Sequence, residues 1–154
     1  MLQQIEGNIA TIKEILAGDK DIRLLLTDNP ILTAEDIKNK QLITDYPVIL
    51  GDDNVPSFIS IVHDNSSRLN NTFISTYKIS CGVGLDAWRT PDGKIRVYEI
   101  AAKIESLLDG EKLNCSTGQF ILDTIVSSYW NSVVTGISMV FQTEEVGDIN
   151  GEIL

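Results

Sequence analysis

The sequence predicts an α+β fold: a mostly antiparallel sheet in the order β-β-α-β-β, packed against a central helix, with further helices at the N-terminus. Three observations carry this. Residues 95–110, IRVYEIAAKIESLLDG, set Val97, Ile100, Ala101, Ile104, Leu107 and Leu108 at the spacing of one buried helical face. Residues 72–83 alternate, with Phe73, Ser75, Tyr77, Ile79, Cys81 and Val83 on one side and Ile74, Thr76, Lys78, Ser80 and Gly82 on the other. Two more strand patterns, 119–126 and 133–143, follow the helix. A helix with a single apolar stripe needs a sheet to cover, and its flanks supply one.

From the N-terminus, residues 2–16 predict a helix with Leu2, Ile5, Ile9, Ile12, Ile15 and Leu16 on one side, ended by Gly18. Asp19-Lys20-Asp21 caps a short second helix, 22–26, and Asp28-Asn29-Pro30 stops it, because the residue before proline avoids the α region. Thr33 with Asp36 three residues on predicts one capped helical turn. Tyr46-Pro47-Val48-Ile49-Leu50 reads as extended and, through Pro47, as a sheet edge; residues 51–54 read as a turn. Residues 57–63 predict a strand, and the polar run 64–71 a mobile loop or hairpin tip.

Thr90-Pro91-Asp92-Gly93 reads either as a turn or as a helix entry with Thr90 as N-cap and Pro91 at the first helical position. On the central helix, Arg96, Glu99, Lys103 and Glu105 fall on the solvent side, with Glu99 and Lys103 spaced to pair. Asp109-Gly110 closes the helix. Residues 111–118 connect to a strand, FILDTIV, that is apolar on both sides except at Asp123. A loop at 127–132 holds Tyr129 and Trp130. The last strand carries Val133, Thr135, Ile137, Met139 and Phe141 on one face. The acidic end is expected to fray from Glu144, leaving residues 1–145 as a single α+β domain and 146–154 as a flexible acidic tail.

At 154 residues, with 43% hydrophobic and 22% charged content, the chain has the size and composition of one globular domain with a real core. No apolar run approaches the ~20 residues of a membrane helix, and the start lacks the basic region and cleavage site of a signal peptide. Cys81 and Cys115 are expected to be reduced, structural thiols, with a disulfide between them left open. The net charge of −10 argues against a surface that grips nucleic acid or an anionic membrane. Solubility alone is the first explanation, and the charge is also compatible with a protein that must not stick to DNA.

Catalytic chemistry is poorly represented. His63 is the single histidine, so any Ser-His or Cys-His arrangement would have to use it; beside Asp64 it reads as an incidental strand-end residue or a pH-sensitive loop contact. Neither cysteine has zinc-ligand spacing. Asp52-Asp53-Asn54 lacks the calcium-loop pattern, Gly82-Val83-Gly84 lacks the third glycine of a dinucleotide fingerprint, and Glu144-Glu145 lacks a cleft. The sequence therefore predicts no catalytic residue, no cofactor and no metal. Its candidates are partner contacts: Ile74 and Thr76, with Ile121, on the second sheet face, and the polar-aromatic corners Trp88-Arg89 and Tyr129-Trp130. Core filling is the competing reading for each tryptophan.

The order of features resembles the tail terminator, or tail-completion, proteins of long-tailed bacteriophages. The residues that carry the resemblance are the N-terminal helix 2–16, the Tyr46-Pro47-Val48-Ile49…Gly51-Asp52 segment and the strand ending in Val83. They continue with the VxxIAxxIxxLLDG pattern of 97–110, Phe120 to Val126, and the final GISMVFQTEE from Gly136. The resemblance implies a non-enzymatic structural virion protein. It would form a homo-oligomeric ring, a hexamer, on the head-proximal end of the tail tube, stop tube polymerisation, and join tail to head. Implied partners are its own copies, the tail tube protein and a head connector or stopper protein. Genomic DNA would pass through without sequence-specific binding, and the acidic balance fits such a lumen. The implied location is the virion neck, assembled in the bacterial host cytoplasm. The competitors are another neck component, such as a head-completion or stopper protein, and a small α+β hydrolase or ligand-binding domain.

Overall fold

The central helix organises the molecule as its periodicity requires. In the computed structural model, which describes residues 2–46, 57–70, 72–113, 118–130 and 132–146, helix α4 spans Arg96–Leu108. It buries Val97, Ile100, Ala101, Ile104 and Leu108. Asp109 caps it and Gly110 takes a positive φ of 83° immediately after, a conformation glycine adopts without a Cβ clash. The helix does not start early. Thr90 closes a turn instead: its hydroxyl accepts from Lys94 N (3.0 Å), its carbonyl accepts from Gly93 N (2.9 Å), and Gly93 sits at φ 88°. Those bonds use the groups an N-cap would need.

Three helices precede the sheet: α1 (Leu2–Gly18), α2 (Lys20–Thr27) and α3 (Ala34–Asn39). The buried stripe of α1 contains Ile5, Asn8, Ile12, Leu16 and Ala17, while Leu2 is exposed. Asn8 is tolerated because its amide donates to the Tyr77 hydroxyl (3.0 Å). Asp19 caps α2 by accepting from Ile22 N (3.0 Å). The stop comes at Asp28, in the left-handed region at φ 54°, before proline acts. Thr33 and Asp36 form the reciprocal capping box of α3. The backbone N–H of Thr33, then its hydroxyl, hold the Asp36 carboxyl below its ordinary pKa.

The strands are β1 (Ile43–Thr44), β2 (Phe58–Leu69), β3 (Thr72–Gly84), β4 (Ile121–Tyr129) and β5 (Val134–Val146). Their order across the sheet is β1-β2-β3-β5-β4. All neighbours are antiparallel except β1 with β2, a two-residue parallel pairing too short to leave a sequence pattern. Two hairpins flank α4, as expected. The predicted loop 64–71 is instead mostly strand: β2 runs to Leu69 across a bulge between His63 and Asn65, and Asn70 turns at φ 57°. The bulge absorbs Asp64 and keeps the polar run paired with β3. The loop expected at 127–132 also shrinks, because β4 continues to Tyr129. The expected extended segment 47–50, the turn 51–54, Cys115 and the tail from 147 lie outside the described residues; β5 itself reaches Val146.

Helices α1 and α4 cover one face of the sheet, where Ile59, Ile61, Tyr77, Ile79, Cys81, Met139 and Phe141 are buried. Phe120 stacks on Phe141 with centroids 4.8 Å apart. Burial of Cys81 pushes its thiol pKa up to about 12. In a Cys115→Ser background, Cys81 should therefore resist a thiol reagent such as DTNB in the native state and react fully once urea unfolds the chain; rapid native-state labelling would contradict its placement.

Two solvent-side assignments are corrected. Arg96 is not on the wet face but 2% exposed, its guanidinium turned back under the α2 terminus. Lys103 pairs not with Glu99 but with Asp21 (3.1 Å) and Asp19 (3.8 Å) of the α2 entry. The bond to Asp21, then the charge of Asp19, raise its pKa.

Candidate functional site

Among the described residues no helix lies on the second sheet face, and its chemistry can be read rung by rung. One rung is Phe58, Gly82, Gly136 and Ser128; the next is Ser60, Ser80, Ser138 and Val126; then come Val62, Lys78, Val140 and Thr124. The glycines make room for rings. A Cβ on Gly82 would lie 2.4 Å from the Phe58 ring, and Trp130 packs edge-on against Phe58 (5.2 Å between centroids) while reaching over Gly136. The serines form a ladder: Ser80 and Ser138 hydroxyls are 2.8 Å apart, Ser128 also bonds Ser138, and Ser60 donates to the Tyr46 carbonyl (2.8 Å). This satisfies the hydroxyls within the sheet and leaves a shallow depression of about 320 Å³ between Lys78 and Trp130.

The predicted contact residues divide between regions. Ile74 and Thr76 lie half-buried on this open face toward the hairpin end, with the Thr76 hydroxyl donating to the Asn65 carbonyl (3.3 Å). Trp130 lies on the same face at the opposite end, and Tyr129 stands exposed beside it at the end of β4. Trp88 packs against the core, and Arg89 donates to the Gly93 carbonyl (3.0 Å) within the turn that feeds α4. A bond from Leu85 N to the Val133 carbonyl (2.8 Å) ties that corner to the β4–β5 end of the sheet. Ile74 and Thr76 are thus at one end of the molecule, and the two aromatic corners at the other.

Strand β4 is the feature that residue patterns alone misjudge. A strand apolar on both sides is the pattern of one buried on both faces. Here it forms the sheet edge and is open on both sides: Ile121, Ile125, Val126 and Tyr129 are 46, 52, 45 and 75% exposed. The signal was present in FILDTIV, but only the strand order shows that nothing in the described chain covers it.

The remaining clusters of the described residues are held by local bonds. His63 Nε2 lies 2.7 Å from the Ser66 hydroxyl, which is 2.8 Å from that of Ser75, and the imidazole sits edge-on to Tyr77. Its hydrogen-bond partner is thus Ser66 rather than Asp64. A groove of about 550 Å³ runs between α2, α4 and the Thr90–Lys94 turn, with Leu24, Leu25, Pro91 and Ala102 at its base. Three of its four carboxylates are engaged locally. Asp28 holds Arg96, Asp21 holds Lys103, and Asp92 accepts from the Thr90 hydroxyl, which keeps its pKa below the ordinary value. Among the described residues, no group of three or more His, Cys, Asp and Glu is placed to hold a metal, and no helix is long and apolar enough to cross a membrane.

No family model matches the sequence, and no curated protein matches it. Among solved structures, the chain is similar to one described as part of the virion of a native gene transfer agent (GTA) particle. The match covers 91% of this chain and 96% of that one, with 14% identity and a TM-score of 0.60. The likeness is one of fold, and it extends over nearly the whole length of both chains.

Proposed function

We propose that this protein is a structural component of a virion, and within that class a tail terminator. It assembles as a ring on the head-proximal end of a tail tube, stops tube polymerisation and provides the seat for the head. The observation that carries the reading is the whole-length likeness of fold to a chain of a virion particle, which agrees with the element order that resembles the tail terminator family. The exposed apolar strand β4, and a sheet face that nothing among the described residues covers, are in keeping with a subunit that works only in an assembly. The net charge of −10 suits a lumen through which DNA must slide without binding. The role requires no catalytic group.

The test is reconstitution. The purified protein is added to a tail tube protein from the same virion while tubes are growing. The expected result, by negative-stain microscopy, is a ring at one end of each tube and an end to elongation. Tubes that keep growing with bare ends would refute the terminator role. Rings that bind purified heads but not tubes would reassign the protein to a head-completion or stopper role.

A further inference from the structure

We infer that β4 is the joint between copies: its free edge pairs, antiparallel, with the free edge of β2 on the next subunit. The inference rests on the ring reading and specifies how such a ring is held together.

The sheet ends on two unlike edges. On one side β4 offers a strand of nine residues with no further strand beside it among the described residues, its Leu122 N–H donating to the Asp109 carboxylate (2.9 Å). On the other, β1 pairs with β2 only at Ile59 and Ser60, and β2 continues to Leu69 with no further strand beside it among the described residues. An open edge presents rows of unpaired N–H and C=O groups, and an apolar one is prone to pair with another chain. β4 has neither a proline nor a lysine to prevent this.

Direction decides which edge it meets. β3 and β4 run one way, β2 and β5 the other. A rotation axis roughly along the strands keeps these directions, so β4 of one copy meets β2 of the next antiparallel, the more stable arrangement per residue. Contacts of this head-to-tail kind close into a ring when the rotation closes.

Charge then selects a register. Asp123 is the one charge on β4 and Arg68 the one Lys or Arg on β2. Among the described residues, neither belongs to an ion pair. Setting Asp123 opposite Arg68 slides β4 along β2 until its length meets the part that β1 leaves open. It also puts Ile125 beside Ser66 on the helix side and Thr124 beside Ser67 on the open side, so both faces run on from one subunit to the next. The stagger this needs is what tilted strands supply in any closed sheet.

Two variants test it. Ile125→Lys with Val126→Lys places charge on an edge that is half-exposed in the single chain. The isolated monomer should keep its circular dichroism spectrum and its Tm to within about 2 °C, while ring formation on tubes is lost. Separately, in a Cys115→Ser background, a Thr124→Cys protein and a Ser67→Cys protein are mixed under assembly conditions with a short bismaleimide. A cross-link joining the two different proteins, and none within either alone, is the expected result. A cross-linked dimer of the Thr124→Cys protein alone would mean that β4 pairs with its own copy, and the inference falls. It falls also if no cross-link forms, if the lysine variant assembles normally, or if that variant's monomer melts more than about 10 °C lower, since the edge would then be covered by its own chain. If the wild-type protein never assembles, with or without tubes, the ring reading fails instead and takes this inference with it.

Discussion

Arg96→Met should lower unfolding stability by about 3–5 kcal/mol, because a side chain that is 2% exposed gives up at once its charge-assisted bonds to three carbonyls and a carboxylate. For a chain of this size that is a fall in Tm of roughly 10 °C or more. The expectation comes from the bonds, not from the charge alone. Arg96 Nε donates to the Ala87 carbonyl (2.7 Å), and Nη1 donates to the Leu25 carbonyl (2.6 Å) and Asp28 Oδ1 (2.9 Å). Nη2 donates to Asp28 Oδ2 (2.7 Å) and the Arg89 carbonyl (3.2 Å). All five guanidinium donors are thereby used, and three separate segments close on one side chain: the end of α2, the turn at Ala87 and Arg89, and the start of α4. Methionine keeps the length and the apolar stem but leaves three carbonyls without their donor, each worth about 1–3 kcal/mol when buried. Lysine has the charge without the planar fork and should restore only part of the loss.

Asp28→Asn is the informative partner variant. The Asp28 side chain is 44% exposed, so losing its charge is softened by water. Asparagine also tolerates the left-handed backbone at this position. The expected cost is about 1 kcal/mol, well below that of Arg96→Met. Urea titrations of the two variants check the ranking. Equal losses would mean that the ion pair, and not the carbonyl clamp, holds α2 to α4.

Arg96 shows where sequence reading stops. Val97, Ile100, Ala101, Ile104 and Leu108 were legible because burial of a helix stripe follows from a local period. Arg96 was not, because a charged residue at a helix start looks solvated until Asp28, 68 positions away, folds against it. Thr33 with Asp36 was legible for the opposite reason: both halves of the capping box sit within four residues. The polar run from Asp64 to Leu69 read as a loop because Asn, Asp and Ser favour turns; its strand state depends on backbone pairing with β3 across a bulge, which residue types do not encode. Of the candidate contacts, Ile74 and Thr76 could be placed on the uncovered face from alternation alone. That Tyr129 ends a strand rather than sitting in a loop could not. FILDTIV was read correctly as an apolar strand, but its position at the bare edge is a property of strand order, set by which hairpin β5 joins.

Gly136→Ala is the second large effect, and it should exceed Gly82→Ala although the two glycines are cross-strand partners. A Cβ at Gly82 meets the rim of the Phe58 ring at 2.4 Å, and a ring can swing about its χ angles. A Cβ at Gly136 meets the Cys81 carbonyl oxygen at 1.8 Å and its carbon at 2.9 Å, with Trp130 at 3.0 Å behind them. Backbone of the neighbouring strand cannot swing aside, so β3 and β5 must part at the centre of the sheet. Overpacking of this kind costs about 1–3 kcal/mol where side chains can yield, and Gly136→Ala should reach or pass the top of that range. A double-mutant cycle separates the two cases. Phe58→Leu should recover much of the Gly82→Ala loss, because it removes the atoms in the way, whereas Trp130→Leu should recover little of the Gly136→Ala loss, because the carbonyl remains. Unfolding midpoints in urea give the two coupling values, one for each pair. Substantial rescue of Gly136→Ala by Trp130→Leu would show that the ring and not the strand sets the limit. The same Phe58 and Trp130 rings roof the open face near the end of β4, so under the proposed function Gly136→Ala should also impair assembly on tubes at temperatures where the monomer is still folded.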